Sequence, residues 1–211
     1  MSESVKYVIE NIEKSYDIYK TMEQMKHIVL SKLDKSIKDN FNSWLGKDWI
    51  FDKDENLFDD DCMSVYPKSL EFKIDADLCS YVSLAFDVEG GQAIWKLFGM
   101  PPLDPNDSVT AFLYLGKLAD CVWGQEILTY IEKKYSEILR EYGFSRGGGK
   151  KNPYYKIDIT LSNLAVLKAW EDDAWEEALL PIKNAWIRLH EIIDWEDLTS
   201  RIHQIATTHS E

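Results

Sequence analysis

Positive charge, cysteine and long apolar runs are all scarce in this sequence, and each shortage removes a class of protein. Lys and Arg number 24 against 37 Asp and Glu, for a net charge of −13. A field of that sign repels nucleic acid and anionic lipid, so direct nucleic-acid binding is disfavoured and a basic protein partner favoured. Cys62, Cys79 and Cys121 are an odd number in no CxxC spacing. They indicate neither a zinc knuckle nor a disulfide framework, and they point to reduced thiols in a cytoplasmic protein. No apolar stretch approaches the roughly 18 residues that a membrane span needs. The opening MSESVKYVIENIEK also carries acids where a signal peptide carries bases, so no membrane association is expected. His27, His190, His203 and His209 lack HExxH spacing, and neither a GxSxG elbow nor a GxGxxG fingerprint occurs. The sequence thus gives no sign of a metal or cofactor, and it leaves oligomeric state open.

What is present is burial capacity. Apolar residues make up 45% of the 211, and aromatics 13%, including eight Trp and eleven Tyr. That is enough for a sizeable core in one domain. Over residues 5–45, Val5, Val8, Ile12, Tyr16 and Tyr19, then Leu30, Leu33, Ile37, Phe41 and Trp44, fall on one stripe of a helix turning about 100° per residue. Glu23 and Lys26 interrupt that stripe, while Met22, Met25 and Val29 point about a quarter turn away. The apolar face is therefore expected to rotate, or the helix to break, near a methionine patch that a second element or a partner covers.

Residues 52–61 hold six acids, Asp52, Asp54, Glu55, Asp59, Asp60 and Asp61, with one Lys. Asp52, Asp54, Asn56 and Asp60 match four ligand positions of a calcium-binding loop, but Leu57 stands where the turn needs Gly and Met63 where it needs a bidentate Glu. The run reads instead as a solvated acidic loop or as a surface for a basic partner. Within 69–100, Leu70, Phe72 and Ile74 alternate with charged residues, and Val82, Leu84, Phe86 and Val88 alternate with Tyr81, Ser83, Ala85 and Asp87. With a Gly90-Gly91 turn and a third strand over 93–98, this predicts a three-stranded antiparallel meander. A loop with three prolines follows, then a helical stretch over 108–142 that Gly143 ends.

The one basic, Gly-rich patch is SRGGGKKNP, residues 145–153. Arg146, Lys150 and Lys151 with three glycines could contact phosphate, although GKK leading into Pro153 departs from the Walker pattern. Over 154–161, Tyr155, Ile157, Ile159 and Leu161 alternate cleanly with polar positions, predicting a strand that joins the meander as its fourth member. From 162 to 206 the helical period returns through Leu164, Trp175, Leu179, Ile182, Trp186, Leu189 and Ile193, with a kink at Pro181 and a last helix opened by Asp194 and Asp197. The opposite face carries Glu171, Asp172, Asp173, Glu176 and Glu177 beside Trp170, which has the makeup of an interface anchor. His190 near Glu191 and Asp194 is a candidate acid/base group.

The order helix, strands, helix, strand, helix resembles the αβββαβ core of the PD-(D/E)XK nucleases, and Asp61 followed by Glu71-Phe72-Lys73 resembles their D…ExK string. The resemblance implies a metal-dependent nuclease in which Asp61 and Glu71 hold a divalent ion and Lys73 sits by the attacking water. Taken together, the expectation is an α+β domain. It has an antiparallel sheet of about four strands, packed with long N- and C-terminal helices. The leading function is a non-catalytic acidic binding protein of inhibitor, immunity or antagonist type. It would engage a basic, nucleic-acid-handling protein through Asp52 to Asp61 and Trp170 to Glu177. The alternatives are the nuclease and a structural or assembly subunit.

Overall fold

Six short strands carry the fold, and helices cover one face of them. A computed structural model describes residues 3–52, 62–74, 77–80, 82–89, 96–98 and 108–209. Its strands are β1 (Trp49–Phe51), β2 (Cys62–Pro67), β3 (Glu71–Ile74), β4 (Asp77–Ser80), β5 (Ser83–Glu89), β6 (Ser108–Tyr114), β7 (Ser145–Gly147) and β8 (Tyr154–Asp158). Its helices are α1 (Glu3–Glu10), α2 (Ile12–Leu45), α3 (Gly116–Ala119), α4 (Gly124–Glu141), α5 (Asn163–Asp172), α6 (Leu180–Ile192) and α7 (Trp195–His209). The main sheet has the order β1-β2-β5-β6-β8-β7, antiparallel at every step. This is an α+β fold, as the sequence indicates, with a wider sheet than expected.

Three differences set which strands make up this sheet. First, residues 62–67 follow the acidic run directly and form a strand because Met63 and Val65 alternate with Ser64 and Tyr66. Second, residues 108–114, expected as the start of a helix, form the central strand β6. Val109, Ala111 and Leu113 enter the core while Thr110, Phe112 and Tyr114 point the other way, a two-residue period built from β-branched and aromatic side chains. The helices of this region start only after β6, at Gly116 for the single turn α3 and at Gly124 for α4. Third, β3 pairs with β4 in a separate hairpin rather than in the main sheet. Of the third meander strand expected over 93–98, residues 93–95 lie outside the described residues. Lys96 to Phe98 make a helical turn in which the Leu97 carbonyl accepts the Leu161 N–H at 2.6 Å. Short apolar runs have no period long enough to separate helix from strand. The strand at 154–158 does join the sheet, beside β6.

The core is one apolar layer between sheet and helices. Met63, Val65, Leu84, Phe86, Val88, Val109 and Leu113 are at most 1% exposed and meet the buried stripes of α2, α4 and α6. Each such side chain stabilises the fold by about 1.5–3 kcal/mol on burial. Helix α6 lies on β5 and β6, with α2 and α4 on either side. Trp186 anchors it: wholly buried, its indole N–H donates to the Ala85 carbonyl at 3.1 Å. Pro181 does not kink a long helix. It occupies the first turn of α6, where its missing N–H costs nothing, and a separate α5 precedes it. Asp194 caps α7 by accepting the Asp197 N–H at 3.0 Å.

The N-terminal helices behave differently along their length. In α2 the buried stripe begins at Val29 and runs through Leu30, Leu33, Ile37, Phe41 and Leu45. Val5, Ile9, Ile12 and Tyr16, before it, are all exposed. The helix breaks near Asn11 and continues through 22–29, where the side chains of Met22 and Met25 lie outside the described residues. No described helix is long and apolar enough to cross a membrane.

Candidate functional site

Two surfaces stand out, one on the sheet and one on α5. The sheet face turned away from the helices is concave and polar, and its residues follow from strand register. Alternation sends Cys62 and Ser64 of β2, Ser83, Ala85 and Asp87 of β5, Thr110, Phe112 and Tyr114 of β6, and Tyr154 and Lys156 of β8 to one side. Pairing arranges them in rows across the strands: Cys62, Asp87, Thr110; then Ser64, Ala85, Phe112, Lys156; then Ser83, Tyr114, Tyr154. Directly opposed side chains in such rows lie about 5 Å apart, so each row is a continuous strip. With Lys117 of α3 and Asn152 they line a cavity of about 420 Å³.

The chemistry of the cavity is graded. Its floor is small and hydroxylic: Ser64, Ser83 and Thr110 are 5%, 4% and 3% exposed, around the methyl of Ala85. Its wall is aromatic, with Phe112 tilted against Tyr154 at 5.8 Å and edge-on to Tyr114 at 6.3 Å between centroids. Lys117 and Asn152 adjoin the Tyr114–Tyr154 row, Lys156 stands opposite Phe112, and Asp87 lies in the row farthest from Tyr154.

The Gly-rich patch 145–153 turns out to shape this rim. It forms the β7–β8 hairpin, in which a Cβ on Gly147 would strike the Tyr154 ring and one on Gly148, at φ +67°, would strike the Asn152 backbone. Gly116 has no Cβ for the same kind of reason, since Tyr114 and Asn152 crowd it. Of the three cations proposed there for phosphate, Arg146 faces the helices, where it pairs with Glu132 at 3.0 Å and lies over the Tyr155 ring. Lys150 and Lys151 are exposed on the loop.

The second surface is α5 and the turn after it. Ala165, Val166 and Ala169 face inward, so Leu164, Leu167 and Trp170 share the outward arc with Glu171 and are 79%, 56% and 46% exposed. Leu164, expected on the buried stripe, is thus on the opposite face. Trp170 stands edge-on to the buried Trp175 at 6.4 Å. Glu171, Asp172, Asp173, Glu176 and Glu177 are all exposed. Asp173, in the left-handed conformation at the end of α5, accepts from Lys32 at 2.8 Å, and that ammonium holds its carboxyl below the usual range. Lys168 meets Glu177 at 3.6 Å.

The remaining predicted residues do not assemble into a centre. Asp52 follows β1, with its N–H on the Ser64 carbonyl at 2.9 Å, and Asp54, Glu55, Asp59, Asp60 and Asp61 lie outside the described residues. Glu71 is half-buried on the separate hairpin, while Asp61 and the Lys73 side chain are not described. Among the described residues, no three His, Cys, Asp or Glu groups gather as a metal ion would require. His190 forms no dyad with Asp194, whose carboxylate caps α7 and meets Lys134 at 3.8 Å. Instead the imidazole packs edge-on to Trp49 at 5.3 Å, its Nδ1 buried without a partner, and burial lowers its pKa. Lys134 donates to Tyr130 at 2.7 Å and to Asp197 at 3.1 Å, a network that ties α4 to α7 and keeps Asp197 ionised.

No family model, curated protein or solved structure matches this chain. A helix over residues 108–114 would not bring Thr110, Phe112 and Tyr114 to one sheet face with Ser64, Ser83 and Lys156. Their signal was the alternation of small or polar residues in the strands: Ser64, Ser83, Thr110 and Lys156.

Proposed function

We propose that this protein is a non-catalytic binding protein that engages a basic partner through α5. The observation that carries the reading is the row Leu164, Leu167 and Trp170, exposed on one arc and bordered by Glu171, Asp172, Asp173, Glu176 and Glu177. An apolar strip with a charged border has the anatomy of a protein interface, in which apolar anchors supply affinity and the rim supplies steering. The occupant it suits is an amphipathic basic segment, its apolar side on the leucines and its lysines or arginines on the carboxylates. Glu171, Asp172 and Glu176 form no ion pair with a described residue, so their charge is available to such a partner. The acidic run at 52–61 adds to the net negative charge that would attract a basic partner. We place the encounter in the cytoplasm, since three cysteines in no CxxC spacing suit a reducing compartment.

A photo-crosslinking residue at Leu167 would capture the partner, and calorimetry with the purified partner would then measure affinity against salt. Affinity is expected to fall from low to high salt and to drop by at least about tenfold in Trp170→Ala. Affinity indifferent to both would refute the reading.

A further inference from the structure

We infer that the cavity on the open face of the sheet is a binding site for a small anion carrying a planar ring, independent of the α5 surface. The first ground is burial. Ser64, Ser83 and Thr110 are more than nine-tenths buried, yet their hydroxyls bond no other described side chain and face the cavity. Their oxygens open on the cavity from three adjoining rows, where water or a ligand can meet them. A cavity of about 420 Å³ is in the range of small-molecule sites.

The second ground is the grading of charge and shape. Lys117 and Asn152 adjoin the Tyr114–Tyr154 row and Lys156 stands on β8 opposite Phe112, so this side of the cavity offers cationic and amide donors that suit a phosphate or carboxylate. Asp87, in the row farthest from Tyr154, disfavours a second anion there and gives the site a direction. Phe112, Tyr114 and Tyr154 present aromatic surface above a floor kept low by Ala85 and the hydroxyls. A flat ring lies on that wall while its polar edge meets Ser64, Ser83 or Thr110.

The third ground is the rim. Gly116, Gly147 and Gly148 each stand where a side chain would push Tyr114, Asn152 or Tyr154 out of place. That side of the cavity is therefore built to close tolerance. A purely apolar ligand would use neither the hydroxyls nor the lysines. A bare inorganic anion would leave the aromatic wall unused. Only a tethered pair of anion and ring answers both.

Two sources share this chemistry, a mononucleotide and an aromatic carboxylate, and the test separates them. Full-length protein is titrated by calorimetry with nucleoside monophosphates, with indole and benzoate carboxylates, with the uncharged nucleosides, and with inorganic phosphate alone. A ring-bearing anion is expected to bind with Kd below about 0.1 mM, the nucleoside and the phosphate at least roughly tenfold more weakly. Amide shifts on the wild-type protein are expected at Ser64, Ser83, Thr110 and Tyr154, a readout that needs no variant. In Lys117→Gln with Lys156→Gln, checked for folding by circular dichroism, affinity for the anion is expected to fall by about tenfold or more. The inference is overturned if no ring-bearing anion binds, if the uncharged ring binds equally well, or if the shifts fall elsewhere. Because the α5 variant Trp170→Ala lies outside the cavity, it leaves this binding unchanged and keeps the two readings separable.

Discussion

Trp186 is the side chain on which the registration of helix and sheet depends, and Trp186→Phe tests that dependence. The indole is wholly buried, donates its N–H to the Ala85 carbonyl of β5, and stands edge-on to Trp44 at 6.2 Å. Phenylalanine retains most of the apolar contact and loses the donor. The lost hydrogen bond is worth about 0.5–1.5 kcal/mol. The volume difference leaves a void of roughly 40 Å³, which at about 24 cal/mol per Å³ adds roughly 1 kcal/mol. The expected loss is therefore about 2 kcal/mol, against about 3–5 kcal/mol for Trp186→Ala. Urea unfolding followed by far-ultraviolet circular dichroism measures it, with an unchanged m value as the sign that the unfolded state is the same. A loss under about 0.5 kcal/mol in the Phe variant would refute the view that the indole N–H pins α6 to the sheet. The Ala85 side chain also lies on the cavity floor, so the same variant is expected to shift the amide signals of β5 on that side.

Three further outcomes are expected. His190 has a folded pKa below its unfolded value of 6.5, so the unfolded chain takes up a proton more readily; stability is full above pH 6.5 and falls as pH drops below it. In His190→Phe that part of the acid sensitivity is expected to disappear, and pH titrations of unfolding free energy that superimpose for both proteins would disprove the assignment. Gly148→Ala, at φ +67° against the Asn152 backbone, is expected to cost about 1–3 kcal/mol and to perturb the Tyr154 signal; thermal unfolding within error of wild type would count against a strained rim. Leu113→Ala in the core is expected to lose about 2–5 kcal/mol, while Leu164→Ser, 79% exposed, stays within about 0.5 kcal/mol. Equal losses in urea unfolding would mean that α5 is covered after all.

Much of the fold was legible where a pattern was long and one face was plainly apolar. The alternation of Leu84, Phe86 and Val88, and of the segment from Tyr154, identified two strands, and the stripe from Leu30 to Phe41 identified the buried half of α2. Asp194 announced the start of α7 because capping is a local interaction. The acidic composition after Trp170 sufficed to place those carboxylates on the surface, since unpaired charges are rarely buried.

What the tertiary structure alone decided is who meets whom. Periodicity gives an element two faces and does not say which is covered, so Leu164 and Leu167, apolar and on a helix, could only be placed outside once Ala165 and Ala169 were seen against the core. Pairing likewise depends on partners distant in sequence. β2 lies beside β5 because β3 and β4 pair with each other and leave that edge free. The cavity is the clearest case. Ser64, Ser83, Thr110 and Lys156 belong to four strands, and only the register of those strands makes them neighbours.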